Sequence, residues 1–309
     1  GGALLQLPAS LVGGLYSMTL TRGEKSQELG VTMLNVLEQY PTGMQVIAHR
    51  GYWDTPGAAK NSRASLKNAI RLGCWGSETD VWITADGHVM VNHDATLGGV
   101  RLETSTLDQV KNLTLSNGEK IPQLSEFLDI LAEGGSTKLI IEIKTHSDEA
   151  RGKACVAAVV DMVRSRGLQD KVEYIAFSIN LCKEVVRLDP NAHVAYLSGD
   201  LGPATLKALG VMGLDYTADT YRNNPTWPGV ARANGMTTNV WTVNDMPTMA
   251  EMTNCGINFI TTDNPVDALK VEQTYNLQKA ANRFSRGVKC RRPPKAIAGQ
   301  TESHQPPHT

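Results

Sequence analysis

Gly76-Ser77-Glu78-Thr79-Asp80-Val81-Trp82 is an apolar stretch that carries two acids one residue apart. Strand side chains alternate between faces, so Glu78 and Asp80 point the same way. The neighbours Val81, Trp82 and Ile83 imply a buried strand in place of a solvated edge. Two carboxylates on one buried face repel each other and lose hydration. A positive charge belongs between them, and a divalent cation is the simplest one.

Neighbouring stretches repeat the design. Val46-Ile47-Ala48 runs into His49, Arg50 and Gly51. Arginine offers a planar fork of donors that matches phosphate oxygens, and histidine exchanges protons near neutrality. Val89-Met90-Val91-Asn92 leads to His93 and Asp94, with Asp94 read as an orienting group or cap. In Leu139-Ile140-Ile141-Glu142-Ile143-Lys144, Glu142 and Lys144 share a face. Three carboxylates, two histidines, one arginine and one lysine thus close four apolar strands in succession. Oxygen-only ligands favour Mg2+ or Ca2+ over Zn2+. A cation beside Arg and Lys describes a phosphate site, and two histidines supply a base and an acid.

The same strands set the fold class. Apolar, β-branched runs occur at 46–49, 78–84, 88–93, 138–144, 172–178, 193–197, 214–218, 238–243 and 258–262. Helix-like stretches between them include 62–72, 124–132, 153–166, 203–209 and 246–254. This alternation predicts an α/β protein with a parallel sheet, and its repeat fits a (β/α)8 TIM barrel. The runs number one more than a barrel needs. Thr84-Ala85-Asp86-Gly87 is a tight-turn signal, so the second and third runs are expected to form a hairpin-like irregularity. A doubly wound open sheet is the runner-up, but no G-x-G-x-x-G follows the first strand. The polar pairs then lie at the carboxyl ends of strands, where barrel enzymes build their sites.

The barrel domain is expected over 45–273. Residues 1–44 read as an N-terminal extension, with a short amphipathic helix suggested by Leu29, Met33, Val36, Leu37 and Tyr40. Residues 274–309 read as a basic, disordered tail, with a weak lipid anchor as its alternative role. The 309 residues carry a formal net charge of −1, which makes no electrostatic case for nucleic acid. No stretch has the length of a membrane span, so stable membrane insertion is not expected. The expected partner is a small-molecule phosphodiester, and oligomeric state is left open. Five cysteines without a C-x-x-C pair argue against a disulfide scaffold or zinc site. The compartment stays open, with a periplasmic or secreted one slightly favoured over the cytoplasm.

Taken in order, these motifs resemble the glycerophosphodiester phosphodiesterase family. The resemblance rests on His49-Arg50-Gly51, Asn61-Ser62, Glu78-Thr79-Asp80-Val81, Thr84-Ala85-Asp86-Gly87 and Val91-Asn92-His93-Asp94. It continues with Ile121-Pro122-Gln123-Leu124, Ile141-Glu142-Ile143-Lys144, Val240-Trp241-Thr242-Val243-Asn244 and Ile260-Thr261-Thr262-Asp263. It implies hydrolysis of glycerophosphodiesters to glycerol 3-phosphate and an alcohol, with the substrate's own hydroxyl as first nucleophile. It implies that Glu78, Asp80 and Glu142 bind the metal and that His49 and His93 are the acid/base pair. Arg50 and Lys144 are then expected near the phosphate, and Trp241 as core packing or as an apolar wall for the substrate. One departure stands out: Lys60 occupies a place where the family often has Glu.

Three competing readings remain at this level. A sphingomyelinase D-like phospholipase would use a similar barrel site to form a cyclic phosphate. A glycosidase would use Glu78 and Glu142 as acid and nucleophile, leaving the histidines and Arg50 without a task. A non-catalytic scaffold would have no need of so complete a set of reactive side chains.

Overall fold

The computed structural model describes residues 14–22, 25–33 and 43–287. The chain opens with an antiparallel hairpin of β1 (Gly14–Arg22) and β2 (Lys25–Met33), paired from Gly14 opposite Met33 to Arg22 opposite Lys25. This corrects the expected helix. Leu29 and Met33 belong to β2, while Val36, Leu37 and Tyr40 lie outside the described residues. In the register Leu29 pairs with Met18, Val31 with Tyr16 and Met33 with Gly14, so a period of two prevails over helical spacing.

The main body contains β3 (Gln45–Ala48), β4 (Gly76–Ile83), β5 (Val89–Val91) and a small ribbon of β6 (Thr96–Leu97) and β7 (Val100–Arg101). It continues through β8 (Lys138–Ile143), β9 (Val172–Ala176), β10 (Val194–Tyr196), β11 (Gly213–Tyr216), β12 (Thr237–Val240) and β13 (Phe259–Thr262). Strands β8 to β13 lie side by side in sequence order, β13 pairs with β3, and β3 pairs with β4, which joins β8. These pairings are parallel and close an eight-stranded barrel. Helices follow most strands and cover the outside. The first, Arg63–Leu72, shows why the chain turns where it does. Ser62 caps its start by accepting from the Ser65 N–H, and Gly73 ends it in the left-handed region at φ 79°.

The surplus strand is β5, and it is antiparallel to β4 as the turn signal predicts. Its placement matters. β3 stops at Ala48, opposite Ser77, so that edge of β4 is open beyond this point. β5 fills the edge opposite Val81 to Ile83 and runs back toward the barrel, where the Asn92 N–H donates to the Asp80 carbonyl. His93 is thereby returned to the cavity that His49 and Arg50 also line.

The core has two layers. Leu66, Phe127, Leu128, Val159, Val163 and Tyr216 belong to the shell between barrel and helices. Ile47, Ile140, Ile175, Ala195, Leu197 and Phe259 fill the inside of the barrel. The final helix spans Pro265–Gly287. It corrects the assignment of residues 274–287 to a disordered tail, because Thr274 to Gly287 continue the helical turn begun on the barrel wall. Residues 288–309 lie outside the described residues. Among the described residues, no helix is long and apolar enough to cross a membrane.

Candidate active site

The loop after β3 is bent by two residues with left-handed backbones. Arg50 has φ 55° and Asn61 has φ 59°. An arginine seldom adopts this conformation, and such strain gathers at functional sites. Gly51 follows at φ 79°, and a Cβ there would meet the Ser65 hydroxyl at 2.4 Å. The bend turns the Arg50 N–H onto Glu78 Oε2 at 2.8 Å. Asn61 donates from Nδ2 to Asp80 Oδ2 at 2.8 Å and accepts at Oδ1 from the Thr79 hydroxyl at 2.8 Å. One loop therefore orients both acids of β4.

Glu142, from the adjacent β8, lies opposite Asp80 in the strand register. Carboxylate oxygens of Glu78, Asp80 and Glu142 all lie within 4.8 Å of one another, and all three residues are buried. Lys144 places Nζ 2.7 Å from Glu142 Oε1 and 3.3 Å from Asp80 Oδ1. Arg50 Nε is 3.5 Å from Asp80 Oδ2.

The crowding sets the titration of the cluster. Burial, then repulsion from Asp80 and Glu142, holds the Glu78 carboxyl well above its ordinary range. Glu142 is pushed up to about 7 by burial and Asp80, against the pull of Lys144. Burial also acts on Asp80, but Lys144, Asn61, His93 and Arg50 outweigh it and keep that carboxyl low. Burial disfavours the charge on Lys144, and Asp80 and Glu142 reverse this and raise it. An all-oxygen cluster with two members driven toward protonation is a fitting set of donors for a hard divalent cation.

Each histidine is held by an acid. His49 donates from Nδ1 to Asp263 Oδ1 at 2.8 Å, and Trp53 Nε1 donates to the same oxygen at 3.0 Å. Asn244 Nδ2 donates to the other oxygen at 2.9 Å. Burial would raise Asp263, but His49 and Trp53 overcome it and hold the carboxylate low. His93 donates from Nδ1 to Asp94 Oδ1 at 2.7 Å, which is the orienting role expected of Asp94. Partial burial lowers the His93 imidazole below its ordinary value despite the attraction of Asp80. In both cases the outer nitrogen, Nε2, is left to meet a ligand.

His49, Arg50, Glu78, His93, Glu142, Lys144 and Trp241 line one cavity of about 120 Å³, with Asp80 beneath it. The structure thus gathers His49, Arg50, Glu78, Asp80, His93, Glu142, Lys144 and Trp241 in one place. Its other wall holds Ile175, Phe177, Leu197 and Asp215. Trp241 packs its edge against Phe177, at 5.6 Å between centroids, and donates from Nε1 to the Asp215 carbonyl. It is a cavity wall as well as a packing residue. Lys60, by contrast, touches none of the three acids. Its ammonium sits 4.5 Å from the Trp53 ring centroid, in a neighbouring recess of about 540 Å³ bounded by Leu97 and Leu115.

Sequence patterns left three positions without a role. Asp263 and Asn61 stand inside recognised motifs, yet their partners are 214 and 19 residues away, a distance that local spacing does not reveal. Asp215 is a lone acid within the apolar Gly213–Tyr216 strand. The alternation that singled out Glu78 applies to it equally. His146 is structural: it accepts from the Ile83 N–H at Nε2 and donates from Nδ1 to the Lys144 carbonyl.

Comparison with known proteins agrees with this geometry. The Glycerophosphoryl diester phosphodiesterase family matches residues 49–267. A solved glycerophosphodiester phosphodiesterase from Parabacteroides distasonis is 42% identical, covers 75% of this chain and 98% of its own, and superposes with a TM-score of 0.74. The glycerophosphodiester phosphodiesterase of Caldanaerobacter subterraneus subsp. tengcongensis is 26% identical over 234 residues, covering 71% of this chain and 94% of that protein. An Oleispira antarctica phosphodiesterase, solved in complex with the product sn-glycerol-3-phosphate, shares the fold at 22% identity and a TM-score of 0.64, over 76% of this chain and 98% of its own. With its closed barrel and its matched motifs, this chain belongs to the glycerophosphodiester phosphodiesterase family and is a phosphoric diester hydrolase of that class.

Proposed function

We propose that the protein hydrolyses glycerophosphodiesters to glycerol 3-phosphate and an alcohol with the help of a divalent cation, Mg2+ or Ca2+. The observation that carries this reading is the meeting of three carboxylates, two acid-held histidines, Arg50 and Lys144 around one small cavity. Glu78, Asp80 and Glu142 are the ligands that would hold the cation. When bound, it supplies positive charge that polarises the phosphoryl group.

Charge balance supports the assignment. Three carboxylates against Arg50 and Lys144 leave one net negative charge. A dication turns this into one net positive charge, which matches the single negative charge of a phosphodiester. Arg50 and Lys144 draw the phosphate oxygens into the cavity and hold them there. His49 and His93 then divide the proton work. In the first step one takes the proton of the substrate's attacking hydroxyl through Nε2 and the other gives a proton to the departing alcohol oxygen, leaving a cyclic phosphate. In the second, water gives up a proton to one imidazole as it opens the ring, and the freed glycerol oxygen takes a proton from the other. Asp263 and Asp94 fix the ring orientations this requires. Trp241 covers the carbon skeleton of the bound glycerol. The catalytic unit is residues 45–273, with residues 1–44 and 274–309 as appendages to it.

The phospholipase alternative gains nothing from the family match, and a cavity of about 120 Å³ offers an acyl chain little room. His49→Ala and His93→Ala test the acid/base pair. Each is expected to lose about 10²- to 10⁴-fold in kcat on glycerophosphocholine while keeping its melting temperature. Full activity in both variants contradicts the assignment.

A further inference from the structure

Asp215 is a buried acid in the cavity with no task in the mechanism above. It is 2% exposed, and no well-formed hydrogen bond reaches its Oδ1, although the Asn239 side chain lies close enough to hold the carboxyl down slightly. An unpartnered oxygen at this depth is costly, and native structures rarely keep one without a use. The strand register sets Asp215 beside Asn239 of β12, whose Nδ2 spends one of its two hydrogens on the Thr261 hydroxyl. The backbone of Asp215 is fixed as well, because its carbonyl accepts from Trp241. The carboxyl is therefore a rigid acid among Ile175, Leu197, Phe177 and Trp241, with Thr242 and Thr261 also on the lining. Burial pushes it up to about 8, with Glu142 and Glu173 adding to the rise and Asn239 opposing it. In the neutral form it both donates and accepts.

The lining of the cavity divides into two parts of different chemistry. One binds a phosphate. The other is largely apolar with Asp215 as its one ionisable group, which suits a short carbon chain ending in a hydroxyl. The space is far below the roughly 300–1,000 Å³ of ordinary ligand pockets, so the fitting group is a small polyol. We infer that Asp215 determines substrate specificity by hydrogen-bonding the terminal hydroxyl of the substrate's glycerol. The inference rests on the glycerophosphodiester reading and adds a selection rule to it. Substrates with a free terminal hydroxyl are accepted, and those that lack it or carry an acyl group there leave Asp215 unpaired.

The test pairs two ligands that differ only in the terminal hydroxymethyl group. Binding of sn-glycerol 3-phosphate and of 2-hydroxyethyl phosphate is measured by calorimetry with Mg2+ present, for the full chain, Asp215→Asn and Asp215→Leu. The corresponding choline diesters are followed by phosphorus NMR. The unaltered protein is expected to prefer the glycerol member of each pair by about tenfold or more. Asp215→Leu should bring the two members close to parity with no fall in melting temperature, since it removes an unpaired buried oxygen. Asp215→Asn should keep part of the preference. Equal losses for both ligands, or a preference that survives in Asp215→Leu, overturns the inference. If the unaltered protein cleaves no glycerophosphodiester yet shows an Asp215-dependent preference in binding, the proposed reaction fails and the inference stands. If it cleaves both diesters equally well, the inference alone fails.

Discussion

A lone buried carboxylate with its two bases and a cluster of three buried carboxylates sit in the same barrel and are built on opposite terms. At the amino ends of the strands, Glu173 lies between Lys138 Nζ at 2.8 Å and His193 Nδ1 at 3.0 Å. His193 in turn meets the Thr237 hydroxyl at 2.8 Å. Burial would raise Glu173, but His193 and Lys138 outweigh it and bring it down to about 2. At the carboxyl ends, Glu78, Asp80 and Glu142 crowd one another, and two of the three are pushed up. The first group is complete within the protein. The second lacks positive charge that the chain does not supply. Similar residues in a similar setting thus separate a structural ion pair from a binding site, and the discriminating feature is whether the chain itself closes the charge balance.

Glu78→Gln against Glu173→Gln breaks the comparison most sharply. Glu78→Gln is expected to lower kcat/KM by about 10³-fold and to leave the melting temperature unchanged or raised, because it relieves like-charge crowding. Glu173→Gln is expected to do the reverse. It should cost about 3 kcal/mol of stability by urea unfolding, since Lys138 and His193 lose their carboxylate. Its kcat/KM should stay within about threefold, as the two groups act independently.

Asp263→Asn probes the support of the acid/base pair. The amide keeps the shape but no longer holds His49 as a carboxylate does. A fall of about 10- to 100-fold in kcat with KM little changed is expected from steady-state kinetics. A changed KM with normal kcat would assign Asp263 to substrate binding.

Smaller effects come from pH. Glu173 is lowered on folding, so its contribution is present above the ordinary Glu value near 4.5 and is lost as pH falls toward 2. Glu173→Gln should flatten that acid limb of the stability profile. Glu142 is raised to about 7, so its contribution without a cation is present below about 4.5 and lost as pH rises through 7. A divalent cation should therefore raise the melting temperature more at pH 8 than at pH 5, where it competes with protons. An equal shift at both values would remove the carboxylate cluster as the cation site.

Much of this was legible in the chain itself. The repeated runs give the barrel, because strands covered on both faces must be continuously apolar, and the Thr84–Gly87 turn announces the antiparallel β5. Alternation places Glu78 with Asp80 and Glu142 with Lys144, and the structure keeps both pairs. What local pattern misses is of two kinds. The Leu29–Met33 stretch satisfies strand and helix periods together, and its pairing with Gly14–Met18 resolves it. The His49–Asp263 contact depends on the closure of β13 onto β3, a long-range event. Asp215 belongs to neither kind. It is visible as a lone acid in an apolar strand, but a single carboxylate has no partner to argue from until the cavity shows what it faces.

The central claim is tested most directly by phosphorus NMR of glycerophosphocholine turnover, with added Mg2+ or Ca2+ and again with EDTA. The expected result is sn-glycerol 3-phosphate as the final phosphorus product with the cation, and no turnover in EDTA. Turnover that persists in EDTA, or a cyclic phosphate as the sole final product, would contradict it.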